Sequence, residues 1–141
     1  MRFAHAWSAR ASHGQNVTIA RQRLGRRAEQ LVADRLTAEG WVLVQRNART
    51  RTGEIDLIAM DGPVLVFVEV KAGRAGSEYG PVSPAHSVGP RKRARIRRLA
   101  REWLAAGRGR GLRVAGYRFD VVGVSFGGDG LADVDHIRNA F

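Results

Sequence analysis

The sequence predicts a single α/β domain in which a mixed sheet lies between helices. Its 141 residues are the usual size of one domain, and 44% hydrophobic residues are enough for a core. Two runs, residues 54–60 and 64–71, are rich in β-forming residues, and each would place apolar side chains on both faces of a strand. Strands buried on both faces are typical of the middle of an α/β/α sandwich, because helices cover both sides.

The first helix is predicted over residues 18–39. Its apolar residues fall on one stripe at helical spacing: Leu24, Ala28, Leu31, Val32 and Leu36. Gly40 then ends the helix. Residues 1–17 show no apolar periodicity and contain no acidic residue, so we interpret them as a basic, disordered leader, with a phosphate-contacting tail as the alternative. The domain is therefore expected over residues 18–141.

The other elements follow from periodicity and from glycine and proline positions. In chain order they are a short strand (41–45), a basic loop (46–52), the two β-rich runs, a Gly/Pro/Ser-rich loop (72–90), a second amphipathic helix (91–106), a Gly/Arg linker (107–111), a strand (113–126), a turn (127–130) and a last strand (131–137). Trp41 and Trp103 are expected in the core. Asp120 is expected to be structural and to pair with an arginine.

The two β-rich runs flank Asp61-Gly62-Pro63 and predict a hairpin. Its register follows from the apolar residues if the connecting loop holds an even number of residues. One apolar face then carries Ile55, Leu57, Val66, Val68 and Val70, and the other face carries Asp56, Phe67, Glu69 and Lys71. In this register the backbones of Asp56 and Glu69 lie roughly 5–8 Å apart on neighbouring strands.

Asp56, Glu69 and Lys71 are the residues whose types and spacing indicate chemistry. Phosphodiester hydrolysis needs a hard cation and a polarised water, and carboxylates bind Mg²⁺ or Mn²⁺ because hard cations prefer oxygen ligands. Glu69 and Lys71 are two residues apart on one strand, so Lys71 can orient or deprotonate a water at the same face. A solvated Glu–Lys pair is the simpler alternative, but exposed charge is not expected after the buried run 64–68.

The charge balance predicts a polyanionic partner. There are 24 Lys+Arg against 13 Asp+Glu, a net charge of +11. Of the basic residues, 22 are Arg, and only Lys71 and Lys92 are Lys. Because Arg and Lys differ in chemistry, a lysine in this chain indicates a specific role more strongly than usual. The absence of cysteine excludes disulfides and cysteine-based zinc sites. No apolar run of membrane-spanning or signal-peptide length occurs, so we expect a cytoplasmic protein. The alternative to nucleic acid is an anionic membrane surface or a protein partner, but no amphipathic helix with exposed bulky apolar residues is predicted, so we expect nucleic acid and no membrane.

Residues 53–58 (Gly-Glu-Ile-Asp-Leu-Ile) and 66–71 (Val-Phe-Val-Glu-Val-Lys) together resemble the YraN family of small bacterial proteins. The resemblance extends from about Leu24 to Phe141 and includes the closing residues 136–141. It implies the PD-(D/E)XK nuclease fold, a restriction-endonuclease-like three-layer α/β/α domain with distant similarity to Holliday-junction resolvases. It also implies a metal-ion site and, by analogy alone, a homodimer as one expected state.

Glu29 in the first helix is a third candidate carboxylate. It lies at the edge of the apolar stripe, and the resemblance implies that it leans over the sheet as the first-helix acid of resolvase-like nucleases does. A solvated glutamate or an ion pair with an arginine is the alternative. The expected catalytic set is therefore Asp56, Glu69, Lys71 and Glu29, of which the three acids are the expected ligands of Mg²⁺ or Mn²⁺.

Basic residues before the hairpin and on the second helix are candidates for phosphate contacts, with a solvated surface as the alternative. They are Arg46, Arg49, Arg51, Arg91, Lys92, Arg93, Arg97, Arg98 and Arg101. Lys92 opens the second helix and is expected to reach the active centre or a phosphate, with a solvated helix start as the alternative. We expect a metal-dependent endonuclease that acts on nucleic acid, with DNA favoured and branched or structured DNA as a candidate substrate. The alternative is a non-catalytic nucleic-acid-binding protein that keeps the nuclease fold, because only catalysis requires Asp56, Glu69 and Lys71.

Overall fold

The computed structural model describes residues 4–74, 85 and 88–141, and the side chains from residue 14 onward. Two helices flank a five-stranded sheet of order β1-β2-β3-β4-β5 in these ranges. The elements are α1 (Ala4–Ala38), β1 (Val42–Arg49), β2 (Glu54–Asp61), β3 (Val64–Arg74), α2 (Pro90–Ala105), β4 (Gly116–Phe126) and β5 (Ala132–Ile137). Neighbouring strands are antiparallel except β3 and β4, which are parallel. The expected α/β/α domain with a mixed sheet is thus confirmed.

The helices cover opposite faces of the sheet. The α1 side buries Ala28, Val32, Leu36, Leu57, Val66, Val68, Val122 and Val124. The α2 side buries Ile58, Leu65, Phe67, Leu99, Ala100 and Trp103. The rings of Phe67 and Trp103 meet edge to face with centroids 6.0 Å apart, and Trp103 Nε1 donates to Gln45 Oε1 at 2.8 Å. Both Trp41 and Trp103 are buried, as expected.

The helix α1 begins fourteen residues earlier than the sequence predicted, at Ala4 instead of Thr18. Residues 4–17, expected to be a disordered leader, are therefore helical, whereas residues 1–3 lie outside the described part. Periodicity missed this extension because residues 14–20 are exposed and need no apolar stripe, while frequent alanines favour a helix. Within the described ranges, neither helix is long and apolar enough to cross a membrane.

The strand β1 replaces most of the predicted basic loop at 46–52, since it continues to Arg49. It is an edge strand of the sheet, where outward-facing arginines are tolerated. The loop that remains is fixed to α2, because the Glu102 carboxylate accepts hydrogen bonds from the Thr52 backbone N–H at 3.2 Å and from Thr52 Oγ1 at 2.8 Å. The strand β4 also begins later than predicted, since Leu112 and Val114 pack on the α2 side before pairing starts.

The β2–β3 hairpin has the predicted register, with one correction. Its turn contains the two residues Gly62 and Pro63, and Leu57 pairs with Val68. Ile55 was predicted to share the α1 face with Leu57, but it packs on the α2 side. Residues two apart in a regular strand share a face, so the strand switches faces at the residue between them, which is Asp56.

The strands β4 and β5 are joined by an ionic network around Asp120, which is fully buried. Its carboxylate accepts hydrogen bonds from Arg118 Nε at 2.8 Å and from the Asn139 backbone N–H at 3.0 Å, and it lies 2.8 Å from His136 Nε2. Burial opposes ionisation of Asp120, but these hydrogen bonds outweigh it and hold its pKa below the usual value. The expected structural role of Asp120 is confirmed.

Most of the predicted loop at 72–90 lies outside the described residues. Its first part is strand, because β3 continues to Arg74 and pairs with β4 as far as Phe126. The second helix agrees with the prediction to within one residue at each end, and Pro90 begins it, as is common at a helix start. This helix enters the fold beside the ends of β2 and β3 that carry the acidic residues, and so it places its first turns over the candidate site.

Candidate functional site

Asp56 and Glu69 lie opposite each other on β2 and β3. Leu57 of β2 pairs with Val68 of β3, and this pair places the neighbouring residues Asp56 and Glu69 opposite each other. Regular pairing of the two strands ends at the Leu57–Val68 pair. In place of a further ladder bond, the Val70 backbone N–H donates to Asp56 Oδ2 at 2.8 Å. The two carboxylates line a cleft of about 180 Å³ whose other lining residues are Glu54, Lys92, Arg95, Ile96 and Leu99. Asp56 thus faces Glu69 and the first turns of α2, on the side of the sheet opposite to Leu57.

Burial and like charge both act on Asp56. Burial, followed by the charge of Glu69, raises the pKa of Asp56 to about 8, although the Val70 N–H opposes the shift. The pair therefore holds a proton at neutral pH when no cation is bound. A hard divalent cation would relieve this repulsion, and Mg²⁺ commonly takes one or two protein carboxylates while keeping water ligands. The donor set of Asp56 and Glu69 fits such an ion.

Glu29 lies beside this pair on α1. Burial, and then the charge of Glu54, raises its pKa, and Glu69 adds to the effect. Glu29 and Asp56 also act on each other electrostatically. Among the described residues, however, no three acidic or histidine side chains come close enough to form a metal-binding group. Asp56 and Glu69 are therefore brought together, while Glu29 flanks them as a more distant carboxylate.

The two lysines of the chain meet at this site. Lys92 Nζ lies 2.9 Å from Glu69 Oε1 and forms a hydrogen bond with Lys71. Burial, and then the contact with Lys92, lowers the pKa of Lys71. Burial also opposes charge on Lys92, but its hydrogen bonds with Lys71 and Glu69 outweigh burial and raise its pKa. Lys92 thus keeps the positive charge at Glu69, and Lys71 loses its proton more readily. The solvated helix start considered for Lys92 is not observed.

The candidate phosphate-binding arginines differ in their contacts. Several are engaged within the protein: Arg46 with Gln30 at 2.9 Å, Arg49 with Glu54 at 3.8 Å, Arg51 with the charge of Glu102, and Arg93 and Arg97 over the Phe141 ring at 5.8 and 5.4 Å. Arg91, Arg98 and Arg101 are exposed on α2 without a hydrogen bond or ion pair to any other described residue. Contact of any of them with nucleic acid stays a prediction.

Three polar residues of the site were missing from the sequence prediction: Glu54, which lines the cleft, Arg95 and Asn47. Arg95 lines the cleft one helical turn after Lys92, and its guanidinium lies over Gly53. The i, i+3 spacing from Lys92 could have indicated it. Asn47 was read as a loop residue; its amide nitrogen, turned toward the acids, donates to Glu29 Oε2 at 3.1 Å and to Glu54 Oε1 at 3.0 Å. No spacing or periodicity in the sequence indicates this contact.

Comparison with known proteins shows similarity over most of the chain. The model of the uncharacterised protein family UPF0102 matches residues 28–124. A UPF0102 protein of Anaeromyxobacter dehalogenans is 48% identical, with 86% of this chain and 85% of the relative covered. UPF0102 proteins of Rhodococcus jostii and Symbiobacterium thermophilum are also 48% identical; 84% and 85% of this chain and 95% and 97% of the relatives are covered. The matched range contains the whole site, from Glu29 to Arg95.

Proposed function

The chain belongs to the uncharacterised protein family UPF0102, and we propose that it is a metal-dependent endonuclease that hydrolyses phosphodiester bonds of DNA. The observation that supports this most is the composition of the cleft. Asp56 and Glu69 form a half-buried acidic pair, and the chain's two lysines adjoin it, although 22 of the 24 basic residues are arginine. Burying charge without a use is unfavourable, so this concentration of charge is typical of a functional site.

Each residue has a proposed task. Asp56 and Glu69 would hold Mg²⁺ or Mn²⁺, with Glu29 contributing from α1. The ion, when bound, supplies Lewis acidity toward the phosphate and a more acidic water. Lys71, with its lowered pKa, accepts or positions a proton at the attacking water. Lys92, which stays charged, offsets charge on the phosphate and holds the strand at the cleft.

Cleavage is the direct test of this proposal. The wild type is expected to cut at least one member of a panel of single-stranded, duplex, flap and four-way DNA in Mg²⁺ or Mn²⁺, with branched DNA favoured by the resemblance. Asp56→Ala is expected to cut none of them and to lose Mn²⁺ binding in calorimetry, because one of two carboxylate ligands is gone. Equal Mn²⁺ binding by both proteins would contradict the metal site. Metal-independent DNA binding without cleavage would support the non-catalytic alternative.

Salt dependence of DNA binding should distinguish free from engaged arginines. The variant Arg91→Gln/Arg98→Gln/Arg101→Gln is expected to flatten the plot of log affinity against log salt by up to about 2.7, since each duplex phosphate contact contributes about 0.9. The control removes Arg93 and Arg97, whose guanidinium groups lie over Phe141, and should change the slope less per charge. A wild-type slope near zero would leave the +11 charge without this explanation.

A further inference from the structure

Asn47 has an unusual backbone for a residue inside a strand. Its φ is 47°, in the left-handed region, and among the described non-glycine residues only Asn139 shares this property. Asparagine tolerates this conformation better than most residues, whereas β-branched and bulky residues do not. Asn47 lies between Arg46, which pairs with Leu57, and Ala48, which pairs with Ile55, and it is therefore across from Asp56.

The left-handed residue coincides with a change of face on both strands. On β1, Arg46 is bonded to Gln30 of α1, whereas Ala48 is buried on the α2 side. On β2, Ile55 is buried on the α2 side and Leu57 on the α1 side. Both strands thus switch faces at the same level of the sheet, at Asn47 and at Asp56. The left-handed backbone of Asn47 therefore lies at the position where both strands change face, opposite Asp56.

The side chain of Asn47 connects this part of β1 and β2 to the helix α1. Its amide nitrogen donates to one oxygen of Glu29 at 3.1 Å and to one oxygen of Glu54 at 3.0 Å. The opposite orientation would place the amide oxygen against carboxylate oxygens. Glu29 and Glu54 repel each other, and Arg46 attracts Glu29, but among these groups the Asn47 amide is the donor that the two carboxylates share.

We infer that Asn47 is a positioning residue for the cation site, directing Asp56 through its left-handed backbone and fixing Glu29 through its amide. This role rests on the proposed function, because it assumes that the acidic residues hold a divalent cation. It explains how an acid on α1 takes part in a site whose other acids lie on β2 and β3. Outer partners of metal sites commonly change metal affinity by 10–100-fold when they are removed.

Substitutions at Asn47 separate the two contributions. Glycine adopts the left-handed conformation readily, so Asn47→Gly removes only the amide and should weaken Mn²⁺ binding about tenfold in calorimetry. The same substitution in a Glu29→Gln background should have almost no further effect, because the amide then has no Glu29 carboxylate to fix. Asn47→Ala should bind Mn²⁺ more weakly than Asn47→Gly, because alanine disfavours the twist that directs Asp56.

Asn139→Gly is the matched control. Asn139 is also exposed and left-handed, with φ of 51°, but it lies in the Asp120 network, and its backbone N–H bond survives the change. Asn139→Gly should leave Mn²⁺ affinity unchanged. Wild-type affinity in Asn47→Gly would overturn the amide role, and equal affinity of the Gly and Ala variants at 47 would overturn the backbone role. Failure of the wild type itself to bind Mn²⁺ would instead overturn the proposed function, and this role with it.

Discussion

Replacing Lys71 by arginine is expected to preserve the fold and most of the DNA affinity, and to slow cleavage by about 100-fold or more. The amine of Lys71 is half-buried and touches Lys92, and both effects lower its pKa, so it gives up its proton more readily than an ordinary lysine. A guanidinium stays charged, is planar and is wider, so it can supply charge but cannot handle a proton. Single-turnover cleavage at matched metal and salt measures the effect, alongside DNA affinity.

Lys92→Arg is the informative control for this experiment. The pKa of Lys92 is raised and its ammonium contacts Glu69, so an arginine there can keep the charge and the ion pair. Its loss of cleavage should be clearly smaller than that of Lys71→Arg, whereas Lys71→Met should lose as much as Lys71→Arg. If Lys71→Arg cuts as fast as the wild type, Lys71 contributes only positive charge, and a proton-handling role is wrong even if the nuclease assignment survives.

Replacing Asp56 by asparagine is expected to stabilise the metal-free protein at alkaline pH while it abolishes metal binding. The pKa of Asp56 is about 8 in the folded protein against an ordinary value of 3.8. Between these values the folded state holds a proton at Asp56 that the unfolded state has released, so the contribution of Asp56 to wild-type stability falls as pH rises from about 4 to about 8 and then levels off. The asparagine side chain does not ionise in this range, so the substitution removes this loss of stability. Its amide oxygen can still accept the hydrogen bond from the Val70 N–H.

The expected gain for Asp56→Asn at pH 8.5 is about 2–3 kcal/mol, or roughly 10 °C in Tm. One pKa unit corresponds to ~1.4 kcal/mol, and the full shift is discounted because Asp56 and Glu69 titrate together. Thermal unfolding in a chelator at pH 5 and at pH 8.5 measures the gain, which should be much smaller at pH 5. Saturating Mn²⁺ should raise Tm for the wild type and not for the variant. A gain of equal size at both pH values would contradict the shifted pKa.

The regular part of the fold follows from local patterns in the sequence. The apolar stripe of α2 and the hairpin register through Leu57 and Val68 were predictable, because burial on one face leaves a periodic signal. The start of α1 and the extent of β1 were not, because residues 14–20 of α1 and most of the residues that end β1 are exposed. Exposed residues of a helix or an edge strand carry no apolar periodicity from which its bounds could be predicted. Helix propensity without periodicity was the missed signal at Ala4.

The site could be predicted only where it depends on strand spacing. Asp56 and Glu69 were expected on one face and do lie together, since they adjoin the regular Leu57–Val68 pair. The face switch beside Ile55 coincides with a left-handed residue on another strand, Asn47, which alternation within one hairpin cannot reveal. The contact of Lys92 with Glu69 joins α2 to β3 between residues far apart in sequence, so it depends on tertiary packing. Lysine scarcity marked Lys92 as unusual without giving its partner.

The parallel pairing of β3 with β4 has a consequence for the order of folding. The strands β1, β2 and β3 are joined by short turns and pair with sequence neighbours, whereas β4 reaches β3 only after residues 75–115, which include α2. Contacts between residues far apart in sequence form late, since the intervening chain must first be ordered. We therefore expect the acidic half of the cleft to exist before Lys92 arrives, so that a chain still being synthesised carries the carboxylates without the lysine that pairs with them.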